Sequence, residues 1–261
     1  MKLNFAFITL LLLVLSASCP GIKSQTVEEL ISLGDKYTAE FNNQKALDTY
    51  LQADQLSPDN WEIYWRISRA YVDIGEHMPS KGDNAEEEQL KVFEKALSYA
   101  DNAVKFAPDM SVNYVRRAIA NGRIALFKGV FSVAGVVNQV RDDCLKAIEL
   151  GNGGNYVQAL AHYVLGRTHA KVSEKWAPAR AILGLGWGDL KEGIKEMNKA
   201  VDLYPGFIMF YLDLAKAYIE DDQYDAARNT LNKLLTCKIQ DEDDAERLVE
   251  AKKLLNEIKD E

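Results

Sequence analysis

Residues 27–60 read VEELISLGDKYTAEFNNQKALDTYLQADQLSPDN, and this 34-residue stretch decides the fold. Leu30, Leu33, Gly34 and Tyr37 recur at the three- and four-residue steps that put side chains on one face of a helix. Ala46, Tyr50 and Ala53 do the same for a second helix, which Pro58 stops. Asn42-Asn43 between them favours a turn, and Ser57-Pro58-Asp59-Asn60 joins a helix stop to an N-cap for the next helix. Small Gly34 and Ala46 let two helices approach closely, while Tyr37 and Tyr50 fill the space between them. Such a unit cannot bury its apolar face alone, so copies of it must stack.

Those seven spaced positions resemble the tetratricopeptide repeat, with Leu30 where Trp is commoner. The pattern recurs downstream in degraded form. Trp61 to Tyr71 reads as a first helix whose partner, carrying Ala96, Ala100 and Ala103, is delayed until it ends at Pro108. Val112–Arg123 and Val136–Leu150 form a third pair, stopped by Gly151-Asn152-Gly153-Gly154. The fourth runs from Ala159 to Tyr204-Pro205 around an unusual segment, and the fifth carries Tyr211, Leu214, Ala215, Tyr218, Ala227 and Leu231. Asp243–Lys259 reads as a capping helix with a charged outer face. The expected architecture is an all-α solenoid of about five helical hairpins plus a C-terminal cap, about eleven helices, in one domain over residues 25–261.

Composition narrows the function. Hydrophobic content of 48% with 27% charge is that of a globular protein, and a net charge of −8 argues against nucleic-acid binding. The acidic run Asp241-Glu242-Asp243-Asp244 reads as a solvated helix start.

Residues 1–24 read as an export leader: Lys2, the apolar run Phe5–Leu15, small residues Ser16-Ala17-Ser18, and no acid before Glu28. Ser16-Ala17-Ser18-Cys19 resembles a bacterial lipoprotein processing site, which would make Cys19 an acylated N-terminus and the only link to a membrane. Cleavage near Ser24-Gln25 by ordinary signal peptidase is the alternative. The expected location is therefore the periplasm, the outer membrane as a lipoprotein, or outside the cell. Cys144 and Cys237 fall in different hairpins and read as buried apolar groups rather than a disulfide.

A closer resemblance rests on Trp65-Arg66-Ile67-Ser68-Arg69-Ala70-Tyr71, the long second hairpin ending at Pro108, and Lys146-Ala147-Ile148-Glu149-Leu150. With Leu165-Gly166 and the Trp-bearing insertion before Tyr204-Pro205, residues 61–236 resemble the regulator-of-microtubule-dynamics family and its bacterial relatives. The resemblance implies the fold; its microtubule role belongs to eukaryotic members, from which the leader departs. The leader and interrupted hairpins also resemble the helical-repeat lipoproteins that accompany TRAP-type solute transporters.

No catalytic constellation stands out. His162 and His169 share one helix face but lack further ligands, so they read as core-lining polar groups, and neither metal nor cofactor is expected. Gly184-Leu185-Gly186-Trp187-Gly188 lacks the Lys-Ser/Thr of a phosphate loop. Binding is the better reading. In this repeat class the first helix of each hairpin lines the concave groove. Its outward positions are Trp65 and Arg69, Arg116 and Arg123, Tyr163 and Arg167, and Lys216. A cationic row with aromatics suits an acidic peptide, a polypeptide C-terminus or an anionic solute; the alternatives are solvated groove residues or structural ion pairs. The segment bearing Trp176, Leu183, Leu185 and Trp187 either fills an inter-helix gap, or caps a pocket for a solute or lipid, or makes an oligomer contact. The expected function is a protein- or peptide-binding scaffold; a solute- or lipid-binding accessory protein of a transporter is the alternative.

Overall fold

The computed structural model describes residues 25–79, 82, 84–128 and 134–261. Residues 1–24, read above as an export leader, and Cys19 within them lie outside the described residues. Twelve helices and no strand occur among the described residues: α1 (Val27–Ala39), α2 (Asn43–Leu56), α3 (Trp61–Glu76), α4 (Ala85–Phe106), α5 (Ser111–Lys128), α6 (Ala134–Leu150), α7 (Gly154–Ser173), α8 (Ala177–Ile182), α9 (Leu190–Leu203), α10 (Ile208–Glu220), α11 (Tyr224–Leu234) and α12 (Asp244–Glu257). Five antiparallel pairs stack in sequence order, α1/α2, α3/α4, α5/α6, α7/α9 and α10/α11, and α12 covers the last. The helix beyond the expected eleven is α8, a single short stretch inside the fourth hairpin.

Local chemistry explains where helices begin. Thr26 accepts a bond from the Glu29 backbone N–H, and the Glu29 carboxylate accepts one from the Thr26 N–H, a reciprocal cap. Asn42, Asn60 and Asp189 each cap a later helix with a side-chain oxygen. The delayed partner of the second hairpin is a helix of 22 residues that starts at Ala85 and overhangs α3.

Pairs pack where one helix offers a glycine. A Cβ at Gly34 would meet the Tyr50 ring at 2.3 Å, so the tyrosine lies directly against the α1 backbone. Gly166 of α7 and Gly193 of α9 face each other, each with the other's carbonyl 2.8 Å from where its own Cβ would be. The core then runs between layers as alanines, with Phe93, Phe210 and Ile63 among its large fully buried members. Cys144 is fully buried and burial pushes its thiol up; Cys237 is half-buried, and both are free.

The insertion divides in two. Leu185 is fully buried against Val137 of α6 and Val172 of α7, with Leu183 and Trp187 packed beside it. The Trp187 indole N–H donates to Asn138 Oδ1 at 2.8 Å, and its ring meets His169 edge-on at 5.0 Å. Trp176 instead stands 74% exposed.

The solenoid also meets itself. The strap between α11 and α12 crosses to the first two hairpins, where Asn43 Nδ2 donates to Glu242 Oε1 at 2.7 Å. His77 pairs with Glu242 at 3.2 Å and with Asp243 at 2.9 Å. The acidic run is thus a helix start, but not a solvated one. Asp244 is fully buried and accepts from the backbone N–H groups of Gln240 and Asp241, both at 2.9 Å.

Candidate functional site

The first helices of successive hairpins contact one another, and α3, α5, α7 and α10 face an inner space that α12 and the strap close. Of three adjoining cavities of about 370, 400 and 380 Å³, the first shares Arg123, Tyr163 and Arg167 with the second and Glu76 and Asp243 with the third. Trp65, Arg69, Arg123, Tyr163, Arg167 and Lys216 line this space and most are already paired, whereas Arg116 lies buried behind its wall.

Arg123 pairs with Glu76 across α5 and α3. Arg167 Nε lies 3.0 Å from Asp213 Oδ2 across α7 and α10, and Lys216 Nζ lies 2.8 Å from Glu250 of α12. Tyr163 is buried rather than outward-facing, and its hydroxyl donates to Asp213 at 2.5 Å. Burial pushes its phenol up, and the Asp213 carboxylate adds to this. These three cations staple neighbouring inner helices. Their partners, Glu76, Asp213 and Glu250, were invisible as partners in the sequence, because each lies tens of residues from its cation.

Arg69 and Arg116 differ. Arg69 Nε sits 3.3 Å from Asp73 Oδ2 one turn along α3. Arg116 is buried, 8% exposed, where outward exposure was expected; its guanidinium lies 5.6 Å from the Trp65 ring centroid and its Nε has no hydrogen-bond partner. Burial, then repulsion from Arg69, pull Arg116 below the usual guanidinium range. Asp73 is thus the carboxylate that pairs with Arg69 and also attracts the nearby Arg116, which hydrogen-bonds Tyr156, while Arg66 and Arg116 lie over the Trp65 indole. Among the inner cations this pair carries the positive charge that is least compensated.

The middle cavity has a different character. Ile119, Leu126, Val140, Leu160 and Val164 line it from α5, α6 and α7, and Arg123, Arg167, Lys171 and Lys175 stand at its rim. None of Trp176, Leu183, Leu185 or Trp187 lines it. The insertion is therefore no cap for this cavity: Leu185 packs behind Val137 and Val172, which do line it, and buttresses the wall. These apolar positions escaped the sequence reading because helix periodicity marks them as core.

The two helix histidines separate. His162 Nδ1 lies 2.5 Å from Glu196 Oε2, and Lys199 lies 2.6 Å from the other oxygen. Burial alone would raise the Glu196 carboxyl, but these two bonds lower it to about 2. His169 turns to Trp187. No group of three His, Cys, Asp or Glu side chains that could hold a metal occurs among the described residues.

Solved structures with the same backbone path are tetratricopeptide proteins. One is TTC0263, a thermophilic protein of Thermus thermophilus, at 18% identity and TM-score 0.62, covering 88% of this chain and 100% of that one. Another is PilW, a type IV pilus biogenesis factor, at 14% identity and TM-score 0.57, covering 88% and 92%. A search of curated protein sequences finds no match. The family model described as Regulator of microtubule dynamics protein 1-3 matches residues 30–259, nearly all of the described residues. The chain belongs to that family.

Proposed function

We propose that the protein is a non-enzymatic scaffold, exported across the inner membrane, whose concave face holds a segment of a partner polypeptide by a carboxylate seated at Arg69 and Arg116. The observation that carries this reading is the buried Arg116, with an unpartnered Nε, beside a second arginine and above Trp65. A buried cation with spare donors gains most from a carboxylate that satisfies them, since charge-assisted bonds away from water are the strong ones. The fold supports the reading too, because stacked hairpins present an extended concave surface. The family name points to microtubules, but an exported protein meets no tubulin, so the fold is what carries over.

Crosslinking in native membranes would identify the partner, and titration of purified partner would test the seat. The Arg69→Met/Arg116→Met protein should bind roughly 30-fold or more weakly, since losing a buried charge pair costs about 2–5 kcal/mol. Circular dichroism must show it folded. A double variant that recovers every wild-type partner with unchanged affinity would sink the assignment.

A second reading rests on the apolar cavity of about 400 Å³ with its four cations at the rim. Such a cavity fits the tail of an amphiphile whose acidic head meets the cations. Native mass spectrometry of protein purified without detergent should then show a bound acid of that kind. Ile119→Trp, which fills the cavity, should abolish it while leaving partner binding at Arg69 and Arg116 intact.

A further inference from the structure

The exposed half of the insertion serves neither reading. Trp176 is 74% and Ile182 86% exposed, the two most exposed large hydrophobic side chains among the described residues. They bracket α8, whose Ala177, Pro178 and Ala181 are exposed as well. The projection is held at its base: Arg180 Nη1 donates to the Gly188 carbonyl at 2.5 Å, Leu185 N donates to the Arg180 carbonyl at 2.7 Å, and Leu185 itself is fully buried. An apolar tip on an anchored base is thus displayed to the surroundings rather than left loose, and exposed apolar patches of this kind mark contact surfaces.

Charge indicates what the tip meets. The protein has 39 acidic residues in 261, yet none between Glu174 and Asp189, a 14-residue run holding Lys175 and Arg180. Lys171 and Lys175, just before the tip, are also at the rim of the apolar cavity, and Lys171 pairs with Glu174 at 2.8 Å, which leaves Lys175 as the nearer charge for a headgroup. We propose that this tip is a membrane-docking element: Trp176 and Ile182 enter the interfacial layer of an anionic phospholipid bilayer, and the neighbouring lysines meet its headgroups. Tryptophan suits that depth because its ring is apolar at one end and wet at the N–H. Cations beside an apolar wedge add attraction to anionic lipid. Docking this way would set the cavity rim against the bilayer. The proposal does not depend on the peptide seat at Arg69 and Arg116.

The test is full-length protein with vesicles of phosphatidylglycerol and phosphatidylcholine, some carrying brominated acyl tails. Trp176 emission should shift to the blue and be quenched by the bromines, and Trp176→Phe should lose both signals. Ile182→Ser should raise the lipid concentration needed for half-maximal quenching about 10-fold, the factor expected from losing one buried aliphatic group. Both variants should melt as wild type does, since both side chains are exposed. Absence of quenching at Trp176 would overturn the proposal. So would equal quenching on pure phosphatidylcholine, or a lipid-free dimer that Ile182→Ser dissociates, which would make the tip a contact between copies.

Discussion

Replacing Gly166 with valine is expected to destabilise the protein by about 3 kcal/mol, the upper end for forcing bulk into a packed core. The added Cβ would lie 2.7 Å from Met197 Cγ and 2.8 Å from the Gly193 carbonyl oxygen. The methionine can move aside, but the carbonyl belongs to the α9 backbone and moves only with that helix. Gly193 meets the Gly166 carbonyl in the same way, so the two helices cannot slide to make room. For a protein of this size the midpoint of thermal unfolding should fall by roughly 6–12 °C. Gly122→Ala is the control. Nothing lies within 4 Å of where its Cβ would be, and alanine should gain about 0.5–1 kcal/mol in mid-helix. If the two variants melt alike, glycine is not what sets the approach of α7 and α9.

The second large effect concerns the strap. Burial alone would lower the His77 imidazolium, but the Asp73 carbonyl, Asp243 and Glu242 raise it to about 9. The folded protein therefore binds this proton more tightly than the unfolded one does. The stabilisation is complete below the ordinary histidine range near 6.5 and is lost as pH rises through about 9. His77 is about one-third exposed, so solvent screening limits the contribution to about 1 kcal/mol. Spin labels at Phe41 and Ile239, both exposed, in a Cys237→Ser background would report the closure. Their distance distribution should be narrow at pH 7 and broad at pH 10, and His77→Gln should be broad at both. A distribution that stays narrow at pH 10 would show that Asn43 and packing hold the strap without the histidine. An opened strap should also expose the Arg69 and Arg116 seat, because Gln240–Asp243 and Arg69 wall the same cavity.

Much of this was legible in the sequence. Gly34 against Tyr50, the turn at Asn42-Asn43, the cap at Asn60, and the hairpin ends at Pro108 and Pro205 are local matters. They depend on residues close in sequence, and side-chain size or a missing N–H decides them. The groove positions were legible as positions, since helix periodicity assigns faces. Their state was not. Arg116 was expected to be outward-facing and is buried; Arg123, Arg167 and Lys216 were expected to form a cationic row and are paired with acids on other helices. Periodicity says which way a residue points, and nothing in it says which acid waits opposite.

The sequence by itself determined the stacked helical hairpins, because each hairpin leaves an apolar face that only another can cover. Only the tertiary structure decided that the two ends of the stack meet through Asn43, His77, Glu242 and Asp243, that Arg116 is buried near Arg69, and that the Trp-rich insertion splits into a buried buttress and an exposed tip. The physical reason is range. Helix formation and pairing are settled by neighbours in the sequence, whereas closure and charge balance depend on small rotations summed over five hairpins, which bring together groups as far apart in sequence as residues 43 and 242.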